Sequence, residues 1–290
     1  MGNFAALKTK NSISSLKEKM ISETATKKYG DDRYWQPQVD KAGNGIAIIR
    51  FLPETHDMEF PYVKVYDHGF NVGTKWFIEP CPTTIGEKCP CCESNTNHWN
   101  TGLKSDQEIA RQRKRRLSYH SNIYVISDQK NPENEGKVFL FKYGIKIFEK
   151  LMEAVEPQFE DEISLNPFNM WEGANFRLKI RNVEGYRSYD KSDFDKVSAL
   201  LSTDEERERV YNSCYNLAEI VDKSKFKPYD ELLRKFNSVT KTEKKNSEEN
   251  DEIDREVEKM FTQEKRSAPK VSKPAIDDDD MAMYAKLLED

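Results

Sequence analysis

The sequence has no run of about 18 apolar residues, the length a membrane-spanning helix needs, and its N-terminus carries no signal-like apolar segment. Such a chain is expected to be soluble, without a membrane partner, and to stay in the compartment that made it. Cysteine is scarce: five in 290 residues, four of them between Cys81 and Cys92. That crowding offers no pairing framework, which argues against a disulfide scaffold and for a reducing, cytoplasmic setting. Catalytic patterns are missing too. No His-x-Glu precedes a Pro-Cys-x-x-Cys and no convergent carboxylate set is visible, which speaks against a zinc deaminase or nuclease. Hydrophobic residues are held to 37% and charged residues reach 33%, so parts of the chain are expected to be solvated rather than packed.

What is present begins with a spacing. His68, twelve residues, Cys81, seven residues, Cys89, two residues and Cys92 follow one another. Zinc takes four soft or borderline ligands in a tetrahedron, and a Cys-x2-Cys turn supplies two thiolates from one knuckle. Pro90 and Gly86 suit the turns around them. The ligand set read here is His68, Cys81, Cys89 and Cys92, with Cys91 in place of Cys92 or His98 in place of His68 as open alternatives. A catalytic zinc keeps one position open beside a base; four protein ligands make this one structural.

Charge is distributed unevenly. Residues 241–290 carry ten Lys/Arg against fifteen Asp/Glu, a deficit equal to the whole net charge of −5, while the first 240 residues balance. Within that neutral body, residues 111–116 read Arg-Gln-Arg-Lys-Arg-Arg. Local basic patches with an acidic end suggest a polyanion-binding surface and an internal competitor for it.

Three segments follow: a basic arm over 1–20, a body over 21–240, and a tether with an acidic tail over 241–290. In the body, Ile46 to Leu52, Tyr62 to Tyr66, Lys75 to Ile78, Leu117 to Ile126, Lys137 to Tyr143 and Ala174 to Ile180 read as strands. Residues 145–155, 202–220 and 229–236 have helical spacing. The class is α+β: short strands suited to a small barrel, a zinc-bearing insertion over about 62–125, and late helices. Cys214 reads as a packed thiol.

Single-stranded nucleic acid asks for cations and aromatic faces along one groove. Arg111, Arg113, Lys114, Arg115 and Arg116 lead into Tyr119, and Arg50, Lys142 and Arg187 each lie beside aromatics in other strands. Several longer motifs accompany this pattern: Asp40 to Gly45 running on to Ile49-Arg50-Phe51-Leu52-Pro53, Asp67-His68-Gly69-Phe70, Cys89-Pro90-Cys91-Cys92, Pro132 to Phe139, and Trp171-Glu172-Gly173-Ala174-Asn175-Phe176. In this order they resemble the single-stranded DNA-binding, helix-destabilising protein of T-even-type tailed phages, over about residues 35–235.

The resemblance implies an OB-fold core with a structural zinc subdomain. It implies a protein, not an enzyme, that coats single-stranded DNA cooperatively during replication, recombination and repair in the infected bacterial cytoplasm. Carried onto this sequence, the zinc ligands fall on His68, Cys81, Cys89 and Cys92. The cleft arginine falls on Arg50, the stacking or cleft-lining aromatics on Trp99, Tyr119, Phe141, Tyr186 and Tyr189, and the basic element on Lys114 to Ser118. The arm that docks on a neighbouring copy falls on Lys8, Thr9 and Lys10. The chain departs from the family pattern in a shorter Cys81–Cys89 gap without its tyrosine, a longer stretch from Trp99 to Lys114, and His120 where the family has tryptophan.

The end of the chain joins Asp277, Asp278, Asp279 and Asp280 to a short apolar pattern with Leu287 and Leu288. This reads as a partner-binding tail in which acid mimics DNA and the leucines anchor; the resemblance implies replication and recombination proteins as its partners. Two other functions remain open to the sequence: a zinc-dependent nucleic-acid enzyme and a zinc-stabilised RNA-binding regulator.

Overall fold

In the computed structural model, residues 31–55, 58–159 and 162–240 are described. The arm residues Lys8, Thr9 and Lys10 and the tail residues Asp277 to Asp280, Leu287 and Leu288 lie outside the described residues.

The class is α+β. Strands are β1 (Tyr34–Trp35), β2 (Gly45–Phe51), β3 (Val63–Val72), β4 (Lys75–Pro80), β5 (Arg116–Asp128), β6 (Val138–Tyr143), β7 (Ala174–Val183), β8 (Tyr186–Ser188) and β9 (Asp193–Val197). Helices are α1 (Pro90–Asn100), α2 (Lys104–Gln112), α3 (Ile145–Val155), α4 (Asp204–Asn212) and α5, residues 229–240. The sheet runs β1-β6-β5-β2-β7-β8, with β3 and its partner β4 branching from β5, and β9 from β7. β5 is the hub, pairing antiparallel with β2, β3 and β6. Its thirteen residues reach from one end of the sheet to the other.

Period-two alternation explains why β2 is a strand and which way it faces. Ala47, Ile49 and Phe51 point into the main core, while Arg50 points to the other face before Pro53 stops the ladder. That core is aromatic: the Phe51 ring lies 5.6 Å from Tyr143, 5.7 Å from Phe176 and 5.7 Å from Phe168. Each fully buried ring contributes about 1.5–3 kcal/mol of burial free energy. α3 closes this core with Ile147 and Leu151, one helical turn apart.

A second core sits under β3 and β4, where Phe70, Val72 and Phe77 meet Leu232, Phe236 and Val239 of α5. Buried Glu79 ties β4 to α5 by accepting from Lys235, and to the turn before that helix by accepting from Lys227 at 3.0 Å. The expected helix over 202–220 is broken. α4 ends at Asn212, and the chain resumes as a 3₁₀ turn at Leu217–Ile220. The cause is Asn122 of β5, whose amide donates to the Tyr215 carbonyl at 2.8 Å and accepts from its N–H at 2.9 Å. Those two bonds hold the backbone out of helical pairing.

Candidate metal centre and nucleic-acid interface

His68 on β3, Cys81 just past β4, and Cys89 and Cys92 at the start of α1 converge, with ligand atoms all within 4.8 Å of one another. Cys89 caps α1, Pro90 occupies its first position and Cys92 lies in its first turn. Proline at that position starts a helix without losing a bond, and the positive helix end favours thiolates. Cys81 Sγ and Cys92 Sγ are 3.5 Å apart; His68 Nε2 lies 3.5 Å from Cys89 Sγ and 3.4 Å from Cys92 Sγ. A tetrahedron with Zn–S near 2.3 Å and Zn–N near 2.0 Å has edges of about 3.5–3.8 Å. The donor set fits a zinc-sized cation.

The imidazole is oriented for ligation. Its Nδ1 lies 3.0 Å from the Arg113 carbonyl, so Nδ1–H donates there and the Nε2 lone pair faces the thiols. This geometry separates the alternatives. Cys91 Sγ sits on the Nδ1 side, 3.4 Å from that nitrogen, and His98 pairs instead with Asp106 at 3.4 Å. Neither belongs to the converging set.

The electrostatics favour a cation as well. Burial opposes a charged His68, but hydrogen bonding to Cys81, Cys89 and Cys91 outweighs it and pushes the pKa up to about 12. Hydrogen bonds from Cys89 and Cys92 drive Cys81 far below the ordinary thiol range, while those from Cys81 and Cys89 push Cys92 up. With only protons to share, the thiols cannot all ionise; a central dication would let them.

The cations and aromatics read from the sequence divide into three groups. In the first, Arg115 and Arg116 stand exposed where β5 begins, beside Lys114. The Arg115 guanidinium lies 4.1 Å from the Tyr66 ring centre and donates to Thr83 Oγ1 at 2.6 Å; Arg116 donates to the Gly69 carbonyl at 3.0 Å. Arg111 of α2 lies 5.4 Å from the half-exposed Trp99 ring of α1.

A second group stands elsewhere. Tyr186 is 80% exposed on the β7–β8 hairpin and Tyr189 is half-buried against the main core. Strand register places that hairpin beyond the Gly45 end of β2, at the opposite end of the sheet from Arg116.

The third group corrects the sequence reading. Arg50, Tyr119 and Phe141 lie inside the protein, not on an open stacking surface. Arg50 is fully buried, donating to Asn175 and to the Ser198 carbonyl, and burial lowers its pKa to about 10. Tyr119 lies flat on Phe148 of α3, centres 3.9 Å apart and planes 7° apart, and Phe141 packs between Trp35, Phe51 and Tyr143. The physical reason is strand parity: Tyr119 shares the core face of β5 with Ile123 and Val125. The sequence reading passed over Phe148, Tyr62 and Tyr66, although the alternation Tyr62-Val63-Lys64-Val65-Tyr66 marked two of them.

Residues 43–240 match the family model described as "gp32 DNA binding protein like". The chain belongs to that family. It is 38% identical over 219 residues to the single-stranded DNA-binding protein of Enterobacteria phage T4, covering 73% of this chain and 71% of that one. The protein of the same name from Enterobacteria phage T2 matches to the same extent. A shorter similarity, 39% over 93 residues, links it to the single-stranded DNA-binding protein of Enterobacteria phage RB70. The four converging ligands and the basic run all fall inside the matched region. Among the described residues no helix is long and apolar enough to cross a membrane.

Proposed function

We propose that this protein binds single-stranded DNA largely without sequence preference and coats it in phage DNA replication, recombination and repair, without catalysing a reaction. The observation that carries the reading is the family match over residues 43–240 together with 38% identity to two phage single-stranded DNA-binding proteins. The sheet around β5 is read as an OB-fold core over 21–240, with residues 62–125 as its zinc subdomain. His68, Cys81, Cys89 and Cys92 would hold one structural Zn²⁺, which would cross-link β3, the end of β4 and α1. Supporting that are the edge lengths of the ligand set and the Nδ1 bond to Arg113.

Phosphates would be held by Arg111, Lys114, Arg115 and Arg116, and bases would meet Trp99, Tyr186 and Tyr189. Lys8, Thr9 and Lys10 would dock on the next copy along DNA. The tether from 241 would carry Asp277 to Asp280, Leu287 and Leu288 to replication and recombination proteins in the host cytoplasm.

Titration of intrinsic fluorescence with oligo(dT) at several salt concentrations tests the reading, with matched RNA beside it and a labelled oligonucleotide checked for cleavage. Tight, strongly salt-dependent binding to single-stranded DNA without strand breakage is expected. Stronger RNA binding, or metal-dependent cleavage, would overturn it.

A further inference from the structure

With Tyr119 covered by Phe148 and Phe141 enclosed, Trp99 beside Arg111 is joined near the basic run by a second aromatic surface. β3 offers it. Val63 and Val65 point to a buried cluster with Leu140 and Leu217, so the residues between them face the other way. Those residues are Tyr62, half-buried, with one ring edge against Tyr119 at 5.8 Å and Phe148 at 5.1 Å; Lys64, exposed; and Tyr66, half-buried at the rim of the second core. Register sets Lys64 directly across from Tyr119 and Tyr66 across from Leu117.

The row is capped at one end by Arg115, whose guanidinium lies 4.1 Å from the Tyr66 ring centre. At the other end Tyr62 meets Phe60, 5.8 Å away and 51% exposed. Thus ring, cation, ring and guanidinium alternate along one strand face. Lys64 has no ion-pair partner among the described residues, whereas Lys142 nearby is paired to Asp67 at 2.9 Å. An aromatic row with an unneutralised cation at its middle has the chemistry of a single-strand track: a π-face tolerates any base, and the charges follow the phosphates.

We propose that the half-exposed row Tyr62, Lys64 and Tyr66, at the start of β3 and just before it, with Arg115 stacked on Tyr66, is a contact track for single-stranded DNA in this protein. It rests on the single-strand-binding reading and adds residues to it. The track lies where the sheet meets the metal-bearing segment, because Arg115 also bonds Thr83, two residues after the ligand Cys81. A strand laid on it would run past Lys114 and Arg116 without reaching into the core.

The test compares the full-length wild type with Lys64→Glu, Tyr66→Leu and, as a charge-matched control, Lys130→Glu. Lys130 is exposed beyond the far end of β5. Each is titrated with oligo(dT) across a salt series, and thermal melting checks that each is folded. Lys64→Glu is expected to weaken binding at least tenfold at low salt and to flatten the salt slope by about 0.7 per lost phosphate contact. Tyr66→Leu is expected to weaken binding about tenfold with the slope kept; Lys130→Glu should change little. If Tyr66→Leu melts early, Lys64→Glu alone decides, since its side chain is exposed. A Lys64→Glu protein that binds like wild type, or no worse than the Lys130→Glu control, would overturn the track and leave the single-strand reading standing. A wild type that binds no single strand would sink that reading instead.

Discussion

Around Phe51 the sheet is held by a dozen or so apolar side chains whose rings meet edge and face. Around His68 four ligand atoms converge where a metal could cross-link the chain, with Phe70, Phe77 and Phe236 as the rings of a smaller core. The first arrangement spreads its free energy over many contacts, so one truncation weakens it without dissolving it. The second concentrates cohesion at one point. α1 and α2 bury few apolar side chains of their own: Pro90, Cys91 and Ala110. Two helices so poorly supplied with core would depend on a metal cross-link at the start of the first of them. Two regions of one chain thus differ in how they should fail.

Metal withdrawal should show this most strongly. Structural zinc in small domains carries apparent binding free energies of about 10–16 kcal/mol at neutral pH. Treatment with a strong chelator, or Cys92→Ser, is expected to lower metal content and melt the α1–α2 segment, while far-ultraviolet circular dichroism keeps the sheet signal. A single shared transition would mean that the two regions are one cooperative unit. Phe51→Ala should do the reverse. We expect a loss of about 3–5 kcal/mol in denaturant unfolding, with metal content unchanged; a drop in metal content would show that the sheet props up the ligand set.

His120 lies on β5 where β3 joins it, and sharpens the comparison by pH. Burial, then the positive Lys142, lowers its pKa to about 4, and Tyr34 bonds its Nδ1 at 2.8 Å. The unfolded ring takes a proton near pH 6.5 and the folded one resists until about 4. Stability from this group is therefore complete above about 6.5 and declines as pH falls toward 4, by up to roughly 3 kcal/mol. Unfolding midpoints of wild type and His120→Gln should converge in slope below pH 6.5 if this is wrong, and diverge if it is right. The smallest effect belongs to Thr203→Ala, which removes the capping box between Thr203 and Glu206 on α4. It should cost about 1 kcal/mol in the same measurement and leave metal and DNA binding alone.

The ligand set was legible because zinc demands particular side chains at short spacing, a demand written directly in His68 to Cys92. Six strands and α3 were legible through periodicity. α1 was not: Cys, Ser, Asn, Thr and His are weak helix formers, and Pro90 read as loop stiffness although it marks a helix start. Nor was the inward turn of Tyr119 and Phe141. Composition places aromatics near cations, but only strand parity and register decide which face they take, and α3 must be in place before Phe148 can cover Tyr119. The break at residue 213 was hidden for a similar reason: it depends on Asn122, more than ninety residues earlier.

The bond from His68 Nδ1 to the Arg113 carbonyl has a consequence for metal retention. That carbonyl belongs to the residue just before Lys114, so the imidazole that faces the metal also anchors the start of the basic run. If those cations take phosphate, occupancy of one site sets the affinity of the other, and coupling of this kind runs equally in both directions. If zinc fills the ligand set and the coupling is positive, the protein on DNA should therefore hold that zinc against a competing chelator more tightly than the free chain does. The nucleic acid would then be part of what retains the ion.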